Sequence, residues 1–424
     1  MSTETAEAGE LSLSWPRQYL RDHTVHIAVV VVFAAYPFVY DFLVNTLGTT
    51  AEMVLPQMAT MVALMWLGLF TMSFDFISGY TGYLSFGHAA FFGTGAYFTI
   101  LAWNGRFPLI PAGADFMALM LLAGLVAMVV AFLIGLVSFR LTGVYFAMIT
   151  LGFAELLFVI SEHWDWLTPG TAVPEDGITM SAEFGDPGIG VPFVDVAQVA
   201  IGGFGDSAIL GIELGIRHTS FYMLGLVVVV CYLAMQRIIH SPFGRTMIAI
   251  RENEERAKAI GYRTIKFKLG AFMFSAFFAG IAGAMVAGEA QAAGPDDAFF
   301  FLVTGFALVA AIIGGLGTLA GPLFGYIFLE SVEEFLSRPR NGGGLQPFLR
   351  ETLPDSVLNA EVASGTVDGI IGGVMTGHGE LYAGIIFIIF ILYVPIGMLG
   401  TVRAKLGGTT VANAVSTKIR ARFE

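Results

Sequence analysis

Four ionisable side chains lie in stretches otherwise apolar enough to sit in a bilayer: Asp75, His88, Glu155 and Glu330. Burying a charge in hydrocarbon is costly, so an ionisable residue there is by default a candidate for an ion or substrate path. Asp75 precedes Gly79 by four residues and is placed either to cap the next helix or to line a polar path. His88, between Gly87 and Ala89, is placed to hydrogen-bond a carbonyl exposed by a helix break. For each of the four, a satisfied structural polar group and a transport role stay equally open. Together they do not make the spaced acid–base series that a proton-driven pump requires.

Enzyme chemistry finds little support. The seven histidines are scattered, with no H-E-x-x-H and no cysteine cluster, so no metal site and no cofactor is expected. There is no G-x-x-x-x-G-K-[ST], hence no P-loop. The glycines of Gly87–Gly95 and Gly314–Gly321 resemble nucleotide loops in spacing only. In an apolar setting such glycines let helix backbones approach closely.

The most specific polar feature is the segment 241–268, SPFGRTMIAIRENEERAKAIGYRTIKFK, which holds seven Lys/Arg and three Glu between two apolar stretches. Ser241 followed by Pro242 reads as an N-cap and first helical residue. Glu252–Arg256 and Glu254–Lys258 stand at i,i+4 with glutamate N-terminal, each worth about 0.3 kcal/mol to a helix. Gly261 follows as a stop, because glycine accepts the left-handed conformation. Ala257 and Ala259 leave the surface low enough for a partner to approach. The segment is too small to be a domain. It reads as a short capped helix gripped by another protein, and the plainer alternative is a basic loop that only sets topology.

The elements that carry these residues follow from composition. Hydrophobic residues make up 56% of the chain and charged residues 13%, against roughly 25% charged in a soluble domain. The mean hydropathy is +0.76. Several runs of about 20 apolar residues match a hydrocarbon core of ~30 Å and define an all-α polytopic membrane protein. The single cysteine, Cys231, lies in an apolar run, so no intrachain disulfide forms. No segment near the N-terminus reads as a cleaved signal, and the stretch after Arg17 and Arg21 suits a first span that stays.

About ten transmembrane helices are expected, at 25–44, 54–74, 80–101, 116–139, 143–161, 219–239, 268–287, 299–314, 318–334 and 381–400. The third and the eighth–ninth pair are glycine-rich and are candidates for broken or re-entrant segments. The chain then divides into an N-terminal tail (1–24), spans one to five (25–161), an acidic loop (162–218), spans six to nine (219–334), a second loop (335–380), the tenth span (381–400) and a C-terminal tail (401–424). An even count puts both termini on one side. That side carries 16 of the Lys/Arg and the other only Arg106, Arg217, Arg338, Arg340 and Arg350. The positive-inside rule therefore places both tails and the 241–268 segment in the cytoplasm of a cell-membrane protein.

The two long loops fall outside. Both are rich in Gly, Pro and acidic residues and read as irregular stretches with short strands or turns. They are large enough to meet a soluble partner, and solvated padding is the alternative. The formal net charge of -12 gathers in the first of them, where nine Asp/Glu face Arg217 alone. Such a surface stays solvated at high salt. A salt-loving source and a simply acidic exterior loop both account for it.

The stretch SPFGRTMIAIRENEERAKAIGYRTIKFKLGAFMFSAFFAGIAGAM closely resembles the cytoplasmic signature of the branched-chain amino acid permease subunits of ABC importers, including their ATPase-docking "EAA" loop. The resemblance recurs in order at GYTGYLSFGHAAFFGTGAY (Gly79–Tyr97), GVYFAMITLGF (Gly143–Phe153) and GGLGTLAGPLFG (Gly314–Gly325), and more loosely at YVPIGMLG (Tyr393–Gly400). It implies that Glu252, Glu254, Glu255, Ala257 and Gly261 belong to the coupling helix. In and beside the matching stretches, Asp75, Ser85, Gly87, His88, Tyr145, Thr150 and Glu155 are the candidates for the translocation path. Asp75 stands where that family usually has asparagine, and Glu155 where glutamine is common.

The partners that the resemblance implies are a second homologous permease subunit, two cytoplasmic ABC ATPases and an extracellular substrate-binding protein. Membrane lipid surrounds them and no nucleic acid is expected. The chain itself would then be a transport subunit and not an enzyme. Its cargo would be leucine, isoleucine or valine, with urea or short amides as the alternative. A stand-alone secondary transporter or channel is the reading from another class. It would need a coupling-ion site and no helix for an ATPase to grip.

Overall fold

The computed structural model describes residues 33–48, 55–164, 216–337 and 379–394, with shorter pieces among 166–213, 349–372 and 397–401. The tails at 1–24 and 402–424, and most of both long loops, lie outside the described residues. Helix follows helix: α1 over 33–47, α2 Met58–Thr81, α3 Ala89–Trp103, α4 Phe116–Ser138, α5 Val144–His163 and α6 Ile216–Ile239. Next come α7 Pro242–Glu252, α8 Glu254–Ala259, α9 Thr264–Ala290, α10 Pro295–Ala298, α11 Phe301–Gly314, α12 Gly321–Ser337 and α13 Gly379–Tyr393.

The result is an all-α polytopic membrane protein. Seven helical stretches are long and apolar enough to cross a membrane: Thr60–Thr81, Phe116–Ser138, Val144–His163, Phe221–Ile239, Thr264–Ala290, Pro295–Gly314 and Gly384–Thr401. The expected ten are not reached among the described residues. The first expected span, 25–44, begins outside the described residues, and two others are too short or too charged. α3 has 15 residues, about 22 Å of helix at 1.5 Å per residue, which falls short of ~30 Å of hydrocarbon. α12 has 17 residues and carries Glu330, Glu333 and Glu334. The stretch expected as a third span at 80–101 divides, because α2 runs on to Thr81 and residues 82–88 are not helical.

α2 and α9 form the centre. Both are buried along most of their length, and they contribute Phe70, Phe74, Phe76 and Phe272 to the core with Phe91 of α3. Small residues set the packing distance. A Cβ on Gly95 of α3 would lie 2.1 Å from the Gly280 carbonyl oxygen, and one on Gly283 of α9 would lie 1.9 Å from the Phe92 oxygen. Only backbone fits there, as at close helix crossings generally.

The outer faces of α4, α6 and α13 are apolar and exposed, with Leu125, Val129 and Leu133, then Leu226, Val230 and Leu233, then Ile385, Ile389 and Leu392. Large apolar patches of this kind suit lipid. The described strands are two residues each. Ile178–Thr179 of the first long loop pairs antiparallel with Ala292–Ala293 just after α9, and Ala208–Ile209 with Ile212–Glu213 and Glu361–Val362 with Gly365–Thr366 make small hairpins.

Candidate coupling site

The 241–268 segment starts as its sequence predicts. Ser241 is the N-cap of α7, its Oγ accepting from the Gly244 amide at 3.3 Å with Pro242 in the first turn. The segment then departs from the single helix expected up to Gly261. Asn253 is extended (φ -163, ψ 102), ending α7 and capping α8 through Oδ1, which accepts from the Arg256 amide at 2.8 Å. An asparagine side chain that offers the backbone this bond competes with helix continuation. Glu252 and Arg256 consequently fall on opposite sides of a bend and share no helix. The second expected pair does form, with Lys258 Nζ 3.3 Å from Glu254 Oε1. Gly261 follows with φ 95, a conformation that a Cβ would strain.

The bend divides the carboxylates. Glu252 and Glu255 face outward, and the Glu255 side chain is 84% exposed, paired with Lys258 at 2.9 Å. Glu254 turns inward. Its Oε1 lies 2.5 Å from Lys268 Nζ and accepts from Thr264 Oγ1 at 3.0 Å, while Oε2 accepts from the Tyr83 hydroxyl at 2.9 Å. Lys268 also donates to the Tyr83 hydroxyl and sits 4.4 Å from that ring's centre. Burial pushes the Glu254 carboxyl up, but the bonds from Lys268 and Tyr83 outweigh it and hold the group at about 2. Tyr83 is wedged edge-on against Phe139 at 5.6 Å and Phe146 at 5.2 Å. Ala257, expected on the approachable surface, is buried within this chain, whereas Ala259 and Gly261 are exposed.

A second tie runs from the end of α7. Arg251 Nη1 donates to the Gly79 carbonyl near the C-terminus of α2. Asp75, one turn earlier and fully buried, accepts from the Gly317 amide through Oδ1 at 2.8 Å. Gly317 belongs to the turn between α11 and α12, and its φ of 78 favours glycine. A Cβ on Gly79 would lie 2.6 Å from the Gly317 nitrogen, so the two backbones touch. Tyr80 supports the same turn, its hydroxyl accepting from the Leu319 amide at 3.0 Å. A Cβ on Gly397 would lie 2.5 Å from the Gly315 Cα, so the last motif packs here too. Motifs scattered from Gly79 to Gly397 thus converge at one end of the bundle.

The other path candidates sit at different depths. His88 is fully buried among Phe70, Phe74 and Phe91. Its Nε2 is 3.0 Å from Ser73 Oγ, and that hydroxyl already donates to the Phe70 carbonyl at 2.6 Å. Its Nδ1 has no partner among the described residues. Ser85 is buried, and its Oγ has no partner among the described residues. Gly87 packs on α5, where a Cβ would lie 2.0 Å from the Thr150 carbonyl oxygen. Thr150 is buried and bonds back to the Ala147 carbonyl at 2.9 Å. Tyr145 is 70% exposed on the outer face of α5, and Glu155 is half-buried on the same helix. Asp75, Ser85, Gly87, His88 and Thr150 are therefore interior, whereas Tyr145 is not. Glu330, on α12, is half-buried as well.

Sequence reasoning missed Tyr83, Arg251, Asn253, Lys268 and Gly317. The N-E-E run at 253–255 carries a helix-start signal that was available. The others gain their roles only from partners 14 to 242 residues away. Among the described residues there is no group of three or more side chains able to hold a metal ion.

Comparison with known proteins identifies the family. The family described as "Branched-chain amino acid transport system / permease component" matches residues 58–338, from the first residue of α2 to just past α12. The chain is 29% identical over 315 residues to the high-affinity branched-chain amino acid transport system permease protein LivM of Escherichia coli (strain K12), covering 73% of this chain and 67% of that protein. It is 28% identical over the same length to LivM of Salmonella typhimurium, with the same coverage. No solved structure matches. With well over half its length matched, and with its glycine motifs gathered around a bent charged segment, the chain belongs to the family of branched-chain amino acid transport system permease components.

Proposed function

We propose that this chain is the permease subunit of an ABC importer for leucine, isoleucine and valine, working by alternating access. It would act with a second permease subunit, two cytoplasmic ATPases and an extracellular binding protein. The α7–α8 elbow and both tails face the cytoplasm, and the loops at 162–218 and 335–380 face outward. One observation carries the reading: the elbow exposes Glu252 and Glu255 while Glu254 and Arg251 tie it to the bundle. An ATPase that grips the exposed face moves a lever fixed to α2, α9 and the turn at 315–318. Ligand-driven closure then biases two arrangements of the bundle through their different contacts with the ATPases. Asp75, Ser85, Gly87, His88, Tyr145, Thr150 and Glu155 remain the candidates for the path.

The test is purification of the tagged chain in mild detergent from its own host. A co-eluting ATPase and ATP-dependent uptake of labelled leucine, competed by valine, are expected. A chain recovered alone, whose transport collapses with the ion gradient and ignores ATP, would overturn the proposal. Competition by urea instead of valine would move the substrate and leave the machinery standing.

A further inference from the structure

Arg251 reaches from the elbow to the glycine-rich turn. Its guanidinium donates to the Gly79 carbonyl, lies 3.0 Å from where a Gly317 Cβ would stand, and is within electrostatic reach of Asp75. Asp75 uses Oδ1 to hold the Gly317 amide, while its Oδ2 is buried without a partner among the described residues. A buried carboxylate oxygen left unpaired is costly. An arginine presents five N–H groups in a rigid fork, and the Gly79 carbonyl engages one nitrogen of it. A filled acceptor on α2 and a buried acceptor without a partner among the described residues thus lie on either side of Gly317, whose amide bonds Asp75 and whose Cβ position lies 3.0 Å from Arg251 Nη1. Gly79 and Gly317 let the backbones of α2 and the turn touch here, a Cβ on Gly79 falling 2.6 Å from the Gly317 nitrogen.

We infer that Arg251 is the positioning residue through which elbow motion reaches the interior. Its guanidinium exchanges between the Gly79 carbonyl and Asp75 Oδ2, so that a shift of α7 tightens or loosens the hold of Asp75 on the turn at 315–318. The inference rests on the importer reading and adds to it. Glu254 and Lys268 fix the elbow to α9, whereas Arg251 transmits its displacement to α2 and to the start of α12.

The experiment uses the purified complex in lipid and measures both leucine transported per ATP hydrolysed and amide exchange at residues 315–319. Arg251→Gln should assemble with the ATPase and hydrolyse ATP, with transport per ATP falling on the order of tenfold, within the usual range of coupling between sites. Arg251→Lys should recover part of that loss. Asp75→Asn keeps an acceptor for the Gly317 amide but loses the charge, so it should fall similarly. The double variant Arg251→Gln/Asp75→Asn should fall no further, because the two act as one unit. Exchange of the Gly317 amide should quicken in Arg251→Gln. This can be read on the chain alone should that variant fail to assemble. Parental transport per ATP, fully additive losses, or an unchanged Gly317 amide would each overturn the inference. If the parental chain carries no ATPase, the importer reading itself falls, a result separate from these.

Discussion

Lys268→Met tests how firmly the elbow is fixed to the bundle. The Lys268 side chain is 3% exposed and the Glu254 side chain 22%, with 2.5 Å between their charged atoms. Breaking a buried pair by deleting one partner costs about 3–5 kcal/mol, and an exposed pair is worth under about 1 kcal/mol. This pair lies between those limits. Glu254 keeps the Tyr83 and Thr264 hydroxyls after the substitution, so a loss of about 2 kcal/mol in local stability is expected. That corresponds to roughly a 30-fold rise in opening of α8. Hydrogen exchange at amides 257–262 of the chain in detergent reads it directly, because local opening appears as lost protection. Adding Glu254→Gln should restore part of the protection, since the orphaned charge is then gone. Unchanged exchange in Lys268→Met, or a double variant worse than the sum of its parts, would refute the idea that this pair anchors the elbow.

Glu255→Arg should insert and fold as the parent does, since only an exposed ion pair worth under about 0.5 kcal/mol is lost. Uptake and ATPase co-purification should still fall, and parental uptake would mean that the partner contacts another face. Asn253→Ala removes the α8 cap and should cost about 1 kcal/mol, seen as roughly fivefold faster exchange within α8 and unchanged exchange in α9. The Glu254 carboxyl is held at about 2 against an ordinary 4.5. A lowered carboxyl stabilises the fold fully above pH 4.5 and loses that contribution as pH falls through about 2. A spin label at Ala259→Cys, selective because Cys231 is buried, should keep constant mobility from pH 7 to about 4.5 and loosen below it. Loosening centred above pH 5 would contradict the assignment.

Features governed by near neighbours were legible from the start. Ser241 caps α7 and Gly261 ends the second helical piece, because each depends on bonds or backbone angles within a few residues. The bend at Asn253 was equally local, but the two i,i+4 charge pairs argued for continuity and carried more weight than a single cap. Only the Glu252–Arg256 pair is given up at the bend, worth about 0.3 kcal/mol against the ~1 kcal/mol of a good N-cap, so the structure followed the cap. The third expected span was partly legible: its glycines marked it as a candidate broken segment, but not where the helix stops. Apolar composition continues from α2 through α3, and hydropathy alone does not register that residues 82–88 leave the helix.

What the sequence by itself determined was the class of molecule, the apolar periphery and the charged segment, together with the family resemblance in its motifs. All of these rest on composition or on short ordered patterns. Only the tertiary structure decided which charges face outward and which are fastened within. Glu254 and Glu255 are adjacent and chemically alike. One closes onto Lys268 and Tyr83 and the other stands in solvent, because helical geometry separates neighbouring side chains by about 100°. Asp75, Arg251 and Gly317 meet across as many as 242 residues of chain. Their meeting depends on glycines that allow backbone against backbone, a condition set by packing and not by any local preference.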